Sequence, residues 1–389
     1  MDLRYTAAEQ QFAAELRAWL REVLPTLAPK PDPDDWPARR EYDTAWQRML
    51  FDAGYAGINW PTEYGGRGAS PSEHLIFLEE TERLNAPYVG VNFVGLLHAG
   101  PTLIAEASDE QRAAHLPAIL RGDEVWCQGF SEPGAGSDLA SLRTRAVLDG
   151  DHYVVTGQKI WTSHAEVADY CELLVRTDPD APKHRGITWL IMPMDLPGIE
   201  VRPLRTIHGS TEFAELFLDE VRIPVANRVG AENDGWRVAM VTFSFERGTA
   251  FVSEMLQSME LVRSLAAVSR ELGREDVDVR RELGHLAAEL DALWALTKRN
   301  VSQAARTGVP GVGGSVFKLH YSEVRQRLGE LSMHVLDRAG LSIADVDGIP
   351  NGEHVYGQIH ALSLTIAAGT SQIQRNIVGE RVLGLPKER

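Results

Sequence analysis

The strongest constraint on the fold is a residue pattern that changes twice along the chain. Residues 123–230 hold short apolar runs separated by Pro, Asp and Gly, a pattern typical of β-strands. On either side, apolar residues recur at spacings of three and four, the period of an amphipathic helix. Strands that follow one another without intervening helices favour an antiparallel sheet over a parallel α/β sheet.

We therefore predict an α+β multidomain protein. Its parts are an N-terminal helical domain (1–122), a central antiparallel β-sandwich or barrel domain (123–231) and a C-terminal domain of the four-helix-bundle type (232–389). A length of 389 residues fits two or three domains of ordinary size.

Local signals place the individual elements. The pair Asp149-Gly150 ahead of the apolar run at Tyr153 predicts a β-hairpin. Leu283, Leu286, Leu290 and Leu293 predict one buried helix face. The predicted helices cover residues 3–24, 42–53, 72–84, 109–120, 324–336 and 354–368, and the predicted strands include 153–155, 170–176, 186–194 and 213–218.

Charge and cysteine content exclude several classes of function. The chain has 39 Lys and Arg against 55 Asp and Glu, a formal charge of −16, which argues against nucleic-acid binding and against a polybasic membrane surface. Two cysteines are too few for a disulfide scaffold or most Cys-based metal sites. Without a signal peptide, the expected location is the cytoplasm. The charge-free stretch 84–105 contains prolines and polar residues, so we predict a buried helix with irregular ends and no integral membrane segment.

Two short segments are candidates for ligand contact. Residues 128–138 read QGFSEPGAGSD, and glycines around Ala135 allow backbone N–H groups to approach a ligand closely. Residues 157–163 read GQKIWTS and place a Trp beside two hydroxyl groups at a strand end. By composition alone, an ordinary Gly-Ser turn and a core Trp are the simpler interpretations. The sequence has no Walker, H-E-x-x-H or G-x-S-x-G motif, and no G-x-G-x-x-G follows a predicted strand.

Taken together, segments spread over the whole chain resemble the acyl-CoA dehydrogenase family. They occur in that family's order, which makes the resemblance specific. They are residues 61–66, 131–138, 157–163, 218–224, 233–236, 369–376 and 381–386. The family fold is a helical domain, a β domain and a helical bundle, in agreement with the predicted domain order.

The resemblance implies FAD as the cofactor, bound between the β domain and the bundle. Phe130 and Ser131 would contact the flavin ring, Trp161 would pack on it, and Ser163 would hydrogen-bond near its N5 or O4. Ser137 would meet the pantetheine arm of the substrate. The full implied set of cofactor contacts is Gln128, Phe130, Ser131, Gly136, Ser137, Trp161, Ser163, Gly369, Thr370 and Gln372, with Ser137, Phe243 and Arg247 as substrate contacts and no metal ligand.

The implied reaction removes two hydrogens from an acyl-CoA thioester and leaves a trans-2-enoyl product. A base takes the α-proton, and the β-hydrogen leaves as hydride to flavin N5. Such a base is a carboxylate whose pKa burial raises towards neutrality.

The position of this base departs from the commonest family pattern. Most members carry the catalytic Glu directly before the C-terminal Gly-Thr, where this chain has Ala368. A minority, including isovaleryl-, long-chain- and some steroid side-chain enzymes, carry it on an earlier helix before an Arg. Glu246 and Arg247 match that second pattern. Glu246 follows Phe243 by three residues, so the two share one helix face. The alternative reading of Glu246 is a surface residue flanked by Phe. We predict Glu246 as the base.

A second departure concerns assembly. The family's R-x-x-F-G run, whose Arg reaches the FAD pyrophosphate of a neighbouring subunit, is missing between Arg263 and Leu286. The later Gly-Gly motif reads Asp337-Arg338, and a carboxylate near a pyrophosphate is repulsive. Two hypotheses follow: a heterotetramer with a paralogous subunit that supplies the missing contacts, or a homo-oligomer that binds FAD adenosine differently.

Three functions compete at this stage. The first is an acyl-CoA dehydrogenase that passes electrons to an electron-transfer flavoprotein. The second is a flavin monooxygenase or oxidase on the same scaffold, and the third is a non-catalytic partner subunit. The Glu246-Arg247 pair favours the first. The acyl group, and the choice between CoA and a carrier-protein thioester, are not encoded in any motif that we recognise.

Overall fold

The structure is a computed structural model. It describes residues 4–387 except residues 250, 308–312, 347 and 350, and for residues 245–249 and 304–307 it describes the backbone alone. The described chain forms two compact units that alternate along the sequence. The first unit contains residues 1–20, 70–85 and 247–389, and the second contains residues 21–69 and 86–246.

The second unit is built on one eight-stranded sheet. Its strands are β1 Trp126–Gly129, β2 Arg145–Asp149, β3 His152–Ser163, β4 Tyr170–Arg176, β5 Ile187–Pro193, β6 Ile199–Leu204, β7 Phe213–Pro224 and β8 Arg228–Val229. The strand order is β6-β7-β3-β2-β4-β5-β8, and β1 pairs with β4 beside this path. The helices of this unit are α2 Trp36–Asp52, α4 Gly100–Glu106, α5 Asp109–Arg121 and α6 Gly235–Thr249.

Most strand pairs are antiparallel, as the residue pattern predicts. The predicted hairpin at Asp149-Gly150 is present, with Asp149 opposite His152. The β1–β4 pairing is parallel, which alternation of side chains along one strand does not predict. The sheet carries a hydrophobic core cluster that includes the sulfur-containing side chains of Cys127, Cys171 and Met192.

The first unit is helical. Its helices are α1 Ala7–Val23, α3 Pro71–Arg83, α7 Val252–Glu271, α8 Val277–Thr307, α9 Gly313–Leu336, α10 Asn351–Leu364 and α11 Ser371–Ile377. The predicted leucine stripe of α8 is confirmed, because Leu283, Leu286, Leu290 and Leu293 all lie in the bundle core. Helix α3 begins at Pro71 because Ser70 caps it in a capping box with Glu73.

The order helical, strand-rich, helical confirms the predicted fold class. The boundaries at 122 and 231 stay a prediction. Helix α10 ends at Leu364, so residues 365–368, which the sequence predicted as helix, lie in the turn that follows it. Residues 84–105 contain a 3₁₀ turn at Gly90–Asn92, a π-helical turn at Gly95–Ala99 and most of α4. Within the described part of the chain, no helix is long and apolar enough to cross a membrane.

We predict that Leu290→Ala destabilises the first unit by about 2–5 kcal/mol, because the substitution leaves a cavity in a packed core. Leu290 has no exposed surface, whereas Leu341 is 89 % exposed. Leu341→Ala is therefore the matched control, with an expected change within about 0.5 kcal/mol. Chemical denaturation of both variants measures the difference, and equal stabilities would contradict this account of the core.

Candidate functional site

The loop after β1 is held in a tight turn. The backbone N–H and carbonyl of Glu132 exchange hydrogen bonds with those of Ala135, at 3.2 and 3.0 Å. The backbone N–H of Ile160 on β3 donates to the carbonyl of Ser131 at 3.0 Å, which ties the loop to that strand. A Cβ added to Gly134 or Gly136 would meet no atom within 4 Å, so open space lies over these glycines.

A buried ion pair supports this loop from below. The Lys159 ammonium, which has no exposed surface, donates to Glu132 Oε1 at 2.8 Å and to the carbonyl of Phe130 at 3.1 Å. The two carboxylate oxygens of Glu132 also accept the backbone N–H groups of Arg143 at 2.7 Å and Thr144 at 2.8 Å. Three donors from two parts of the chain therefore meet at one carboxylate, and with the Lys159 contact to the Phe130 carbonyl they fix the conformation of Phe130 to Glu132.

Burial and pairing act on these two charges in opposite directions. Burial by itself would raise the pKa of Glu132, but the Lys159 charge and the hydrogen bonds to this carboxylate hold its pKa below the ordinary value. Burial lowers the pKa of Lys159, and the Glu132 carboxylate opposes that change. The pair persists because each charge satisfies the other.

Trp161 is presented outward by an irregularity of β3. The register between β3 and β7 shifts between Lys159 and Thr162, and Trp161 has a φ of +62°. Bulges of this kind re-aim side chains next to functional sites. The Trp161 indole is 56 % exposed and meets Phe213 edge-on, with ring centroids 5.7 Å apart.

Helix α6 packs against the same loop. The rings of Phe243 and Phe130 meet edge-on, with centroids 5.9 Å apart. One residue earlier, Thr242 Oγ1 lies 2.9 Å from Thr102 Oγ1 of α4, and both side chains are buried. Glu246 lies in this helix, three residues after Phe243. The side chains of Glu246 and Arg247 lie outside the described part of the structure.

Ser137 is exposed, and the segment that follows it is held in place by a second buried cation, Arg176. The Arg176 guanidinium, 9 % exposed, donates to the carbonyls of Ala140 at 2.6 Å, Lys183 at 3.1 Å and Arg185 at 3.0 Å. Arg176 thereby joins the segment after Ser137 to the turn at residues 182–186.

Gln128, on β1, contacts one residue of β4 and one residue of the π-helical turn at Gly95–Ala99. Its Nε2 donates to Glu172 Oε1 at 2.7 Å and lies 3.5 Å from His98 Nδ1. Glu172 has no exposed surface and lies directly beside Gln128 in the parallel pairing of β1 and β4. The Glu172 carboxylate thus fixes the orientation of the Gln128 side-chain amide, with its NH2 group towards Glu172.

In the first unit, the predicted residues Gly369, Thr370 and Gln372 lie together. Thr370 caps α11 by accepting the backbone N–H of Ile373 at 3.2 Å. Thr370, Ser371 and Gln372 line a surface cavity of about 360 Å³. The other residues of its lining are Glu323, Gln326, Thr365, Ile366 and Arg375.

Sequence reasoning missed the residues that support these contacts. Lys159 and Glu132 lie inside the two motifs, but from the sequence alone each is expected to be a solvent-exposed charge. Thr162 and Ser371 were also missed, although both hydroxyl oxygens are buried without a hydrogen-bond partner among the described residues. Their positions next to Trp161 and Thr370 are the only signal that the sequence offers.

These observations fit an FAD cofactor. Thr162 Oγ1 and Ser371 Oγ are unsatisfied buried donors that adjoin residues predicted to contact it, and such groups require an explanation. The open space over Gly134 and Gly136 admits a ligand at van der Waals distance from the backbone. Every predicted cofactor residue except Phe130 keeps exposed or half-buried surface. Phe130 is 2 % exposed, and its carbonyl and ring also support the loop.

Three domain profiles of one family match the chain. They are described as the N-terminal, middle and C-terminal domains of acyl-CoA dehydrogenase, and they match residues 6–123, 127–221 and 233–383.

The chain belongs to the acyl-CoA dehydrogenase family.

A relative over nearly the full length agrees with this assignment. Acyl-CoA dehydrogenase IpdE1 of Mycobacterium tuberculosis is 39 % identical, over 97 % of this chain and 98 % of that protein. The prediction of the family, and of an acyl-CoA dehydrogenase, is confirmed.

Two similar solved structures are named as pairs of chains. One is the Tcur3481-Tcur3483 steroid ACAD, with 33 % identity and a TM-score of 0.86 over the full length of both chains. The other is the ChsE4-ChsE5 complex from Mycobacterium tuberculosis, with 34 % identity and a TM-score of 0.85, again over both full lengths.

We predict that Lys159→Met destabilises the second unit by about 3–5 kcal/mol, because it leaves the Glu132 carboxylate buried without its cation. Denaturant unfolding measures the loss. Lys183→Met is the control, since Lys183 pairs with Asp138 at 2.9 Å where both side chains are more than half exposed. Its expected cost is about 0–1 kcal/mol. A Lys159→Met variant as stable as Lys183→Met would contradict the supporting role of the ion pair.

Proposed function

We propose that the chain catalyses the FAD-dependent α,β-dehydrogenation of an acyl-CoA thioester to the trans-2-enoyl-CoA, with Glu246 as the base. The observation that carries this proposal is the packing of α6 on the Phe130 loop through Phe243. Glu246 lies about one helical turn beyond Phe243. The helix that bears the proposed base is therefore anchored to the loop that bears the proposed flavin contacts.

The other possible base position supports the same assignment. Ala368 stands where most family members carry Glu, and alanine has no group that accepts a proton. Ala368 has a φ of +50° and lies in the turn that follows α10.

Each group of the chain has a defined task in the proposed reaction. Glu246 takes the α-proton, and bound FAD supplies the acceptor for the hydride that leaves the β-carbon. Phe130, Ser131, Trp161 and Ser163 orient the flavin ring, and Thr370 and Gln372 contact the cofactor beyond the ring. Ser137 contacts the pantetheine arm, and Phe243 and Arg247 border the substrate.

The proposed acyl group is bulky and steroid-derived. Its support is the likeness to a protein described as a steroid ACAD. Electron-transfer flavoprotein is the proposed electron acceptor, by analogy with the family.

We expect Glu246→Gln to bind FAD normally but to leave the flavin coloured when a CoA ester is added without oxygen, because the amide accepts no proton. The measurement is flavin absorbance across a panel of short, branched, long and steroid-side-chain CoA esters. Glu260→Gln, an exposed change on α7, is the control and should bleach as the unsubstituted enzyme does.

A double variant that moves the carboxylate to the other base position tests whether the loss of bleaching is due to the missing base. Glu246→Gln combined with Ala368→Glu restores a carboxylate at the position used by most family members, and should recover part of the bleaching. Normal bleaching by Glu246→Gln alone would remove Glu246 from the mechanism. Rapid oxygen consumption by the reduced enzyme would favour the oxidase or monooxygenase alternative, and no bleaching with any ester would favour a non-catalytic subunit.

We further propose that the chain works in a hetero-oligomer with a paralogous subunit. Arg274 Nη2 lies 2.6 Å from Asp337 Oδ2, and this hydrogen bond lowers the pKa of Asp337. Asp337 has a φ of +49°, a conformation that glycine adopts most readily, and it occupies the family's Gly-Gly position. A carboxylate at this position would repel the pyrophosphate of a neighbour's FAD.

Exposed apolar side chains in the first unit support an assembly of some kind. Large contiguous apolar surface is uncommon on isolated subunits, and seven exposed apolar side chains lie in three short stretches of this unit. They are Leu341, Ile343, Tyr356, Leu362, Ile366, Leu383 and Leu385, each at least 44 % exposed. The two similar structures named as pairs of chains support a heteromeric partner.

The chain purified alone is expected to carry clearly less than one FAD per protomer, because the contacts usually donated across the subunit boundary are missing. Flavin absorbance against protein concentration, together with light scattering for mass, measures this. Full FAD occupancy in a homo-oligomer would contradict the need for a partner.

A further inference from the structure

Lys318 is a buried cation that the proposed chemistry does not use. It lies on α9 and is 5 % exposed. Its ammonium donates to the carbonyl of Leu364 at 2.8 Å and to the carbonyl of Gly369 at 2.6 Å. These two carbonyls bracket the turn that leads to Thr370, so one side chain holds both ends of that turn.

The Leu364 contact has a clear electrostatic basis. Leu364 is the last residue of α10, and carbonyls in the last turn of a helix lack partners within the helix. A positive charge at this end also interacts favourably with the helix dipole. Lys318 therefore satisfies a helix end and, through Gly369, extends that support to the next segment.

The remaining contacts of the turn reinforce its shape. The backbone N–H of Ser371 donates to the carbonyl of Thr365 at 3.0 Å. Gln374 Nε2 donates to the carbonyl of Ala368 at 3.0 Å, and Gln326 Nε2 donates to Thr365 Oγ1 at 3.1 Å. Ala368 and Gly369 both have positive φ, at +50° and +85°. A conformation that costs energy at Ala368 is held in place by surrounding hydrogen bonds.

Ala368 itself carries no group that could act in catalysis. The residues that follow it indicate a role for this strained turn. Thr370, Ser371 and Gln372 line the cavity of about 360 Å³, and the buried Ser371 hydroxyl has no hydrogen-bond partner among the described residues.

We propose that Lys318 is a positioning residue for the cofactor: its ammonium fixes the 364–369 turn so that Thr370, Ser371 and Gln372 are preorganised to bind FAD. This role rests on the proposed function, in which Thr370 and Gln372 contact FAD. Lys318 itself touches neither cofactor nor substrate in this role.

Burying the Lys318 ammonium costs free energy, which a structural or positioning role would offset. Burial lowers the pKa of Lys318 to about 8, from an ordinary value near 10.5. The group is still mainly protonated at neutral pH, so the chain tolerates an unfavourable buried charge at this position.

The test compares FAD binding by the unsubstituted protein, with its partner subunit if it requires one, and by Lys318→Met. Methionine removes both hydrogen bonds and keeps much of the side-chain length. We expect the FAD dissociation constant to rise at least about tenfold. At saturating FAD, the KM for the acyl-CoA ester should stay within about twofold, since the proposed effect is on cofactor positioning. Lys387→Met, at an exposed lysine, is the control and should bind FAD normally.

A second measurement uses the unsubstituted protein, so it tests the proposal even if Lys318→Met fails to fold. Hydrogen exchange of the FAD-free protein should show the Ser371 amide protected, because it is bonded to Thr365 within a preformed turn. Exchange at the rate of an open loop would overturn the proposal, as would equal FAD affinity of Lys318→Met and the unsubstituted protein. If the unsubstituted protein binds no FAD in any assembly, the proposed function itself fails.

Discussion

The buried contact between Lys159 and Glu132 is the interaction on which the arrangement of the second unit depends. The loop 128–138 has few apolar side chains of its own, and glycines leave its backbone free to move. A single carboxylate that binds an ammonium and two backbone N–H groups removes that freedom. Without it, neither the Phe130 ring nor the contact of that ring with α6 would have a defined position.

The same solution recurs at two other places. Arg176 joins two loops of the second unit through their carbonyl groups, and Lys318 joins two ends of one turn in the first. In each case a buried cation binds backbone oxygens that regular secondary structure leaves unpaired. Such groups are costly to bury unsatisfied, so one charged side chain stabilises several segments at once. The conformation of these loops therefore depends on a buried cation from elsewhere in the chain and not on contacts within the loop alone.

Much of this fold could be predicted from the sequence because its signals are local. The leucine stripe of α8 and the Asp149-Gly150 hairpin follow from side-chain period and turn chemistry, and both are present. The family motifs identified the loop and strand that carry the candidate site. The parallel pairing of β1 with β4 could not be predicted, because it joins residues more than forty positions apart. Lys159, Glu132 and Lys318 were missed for the same reason: a charged residue reveals its partner only after the chain has folded. Residues 365–368 were predicted as helix because no Gly or Pro marks the end of α10 at Leu364.

The pairing of Gln128 with Glu172 has a consequence for strand alignment. On β1 and β4, Cys127 and Cys171 lie in the apolar core, while Gln128 and Glu172 point to the opposite face. A slip of β1 by one residue would push an amide into that core and leave a fully buried carboxylate facing sulfur and carbon. The strand β1 has only four residues, so few ladder contacts define its alignment. The buried Glu172 carboxylate therefore adds to the alignment of β1 with β4, and through it to the starting position of the loop that continues from β1.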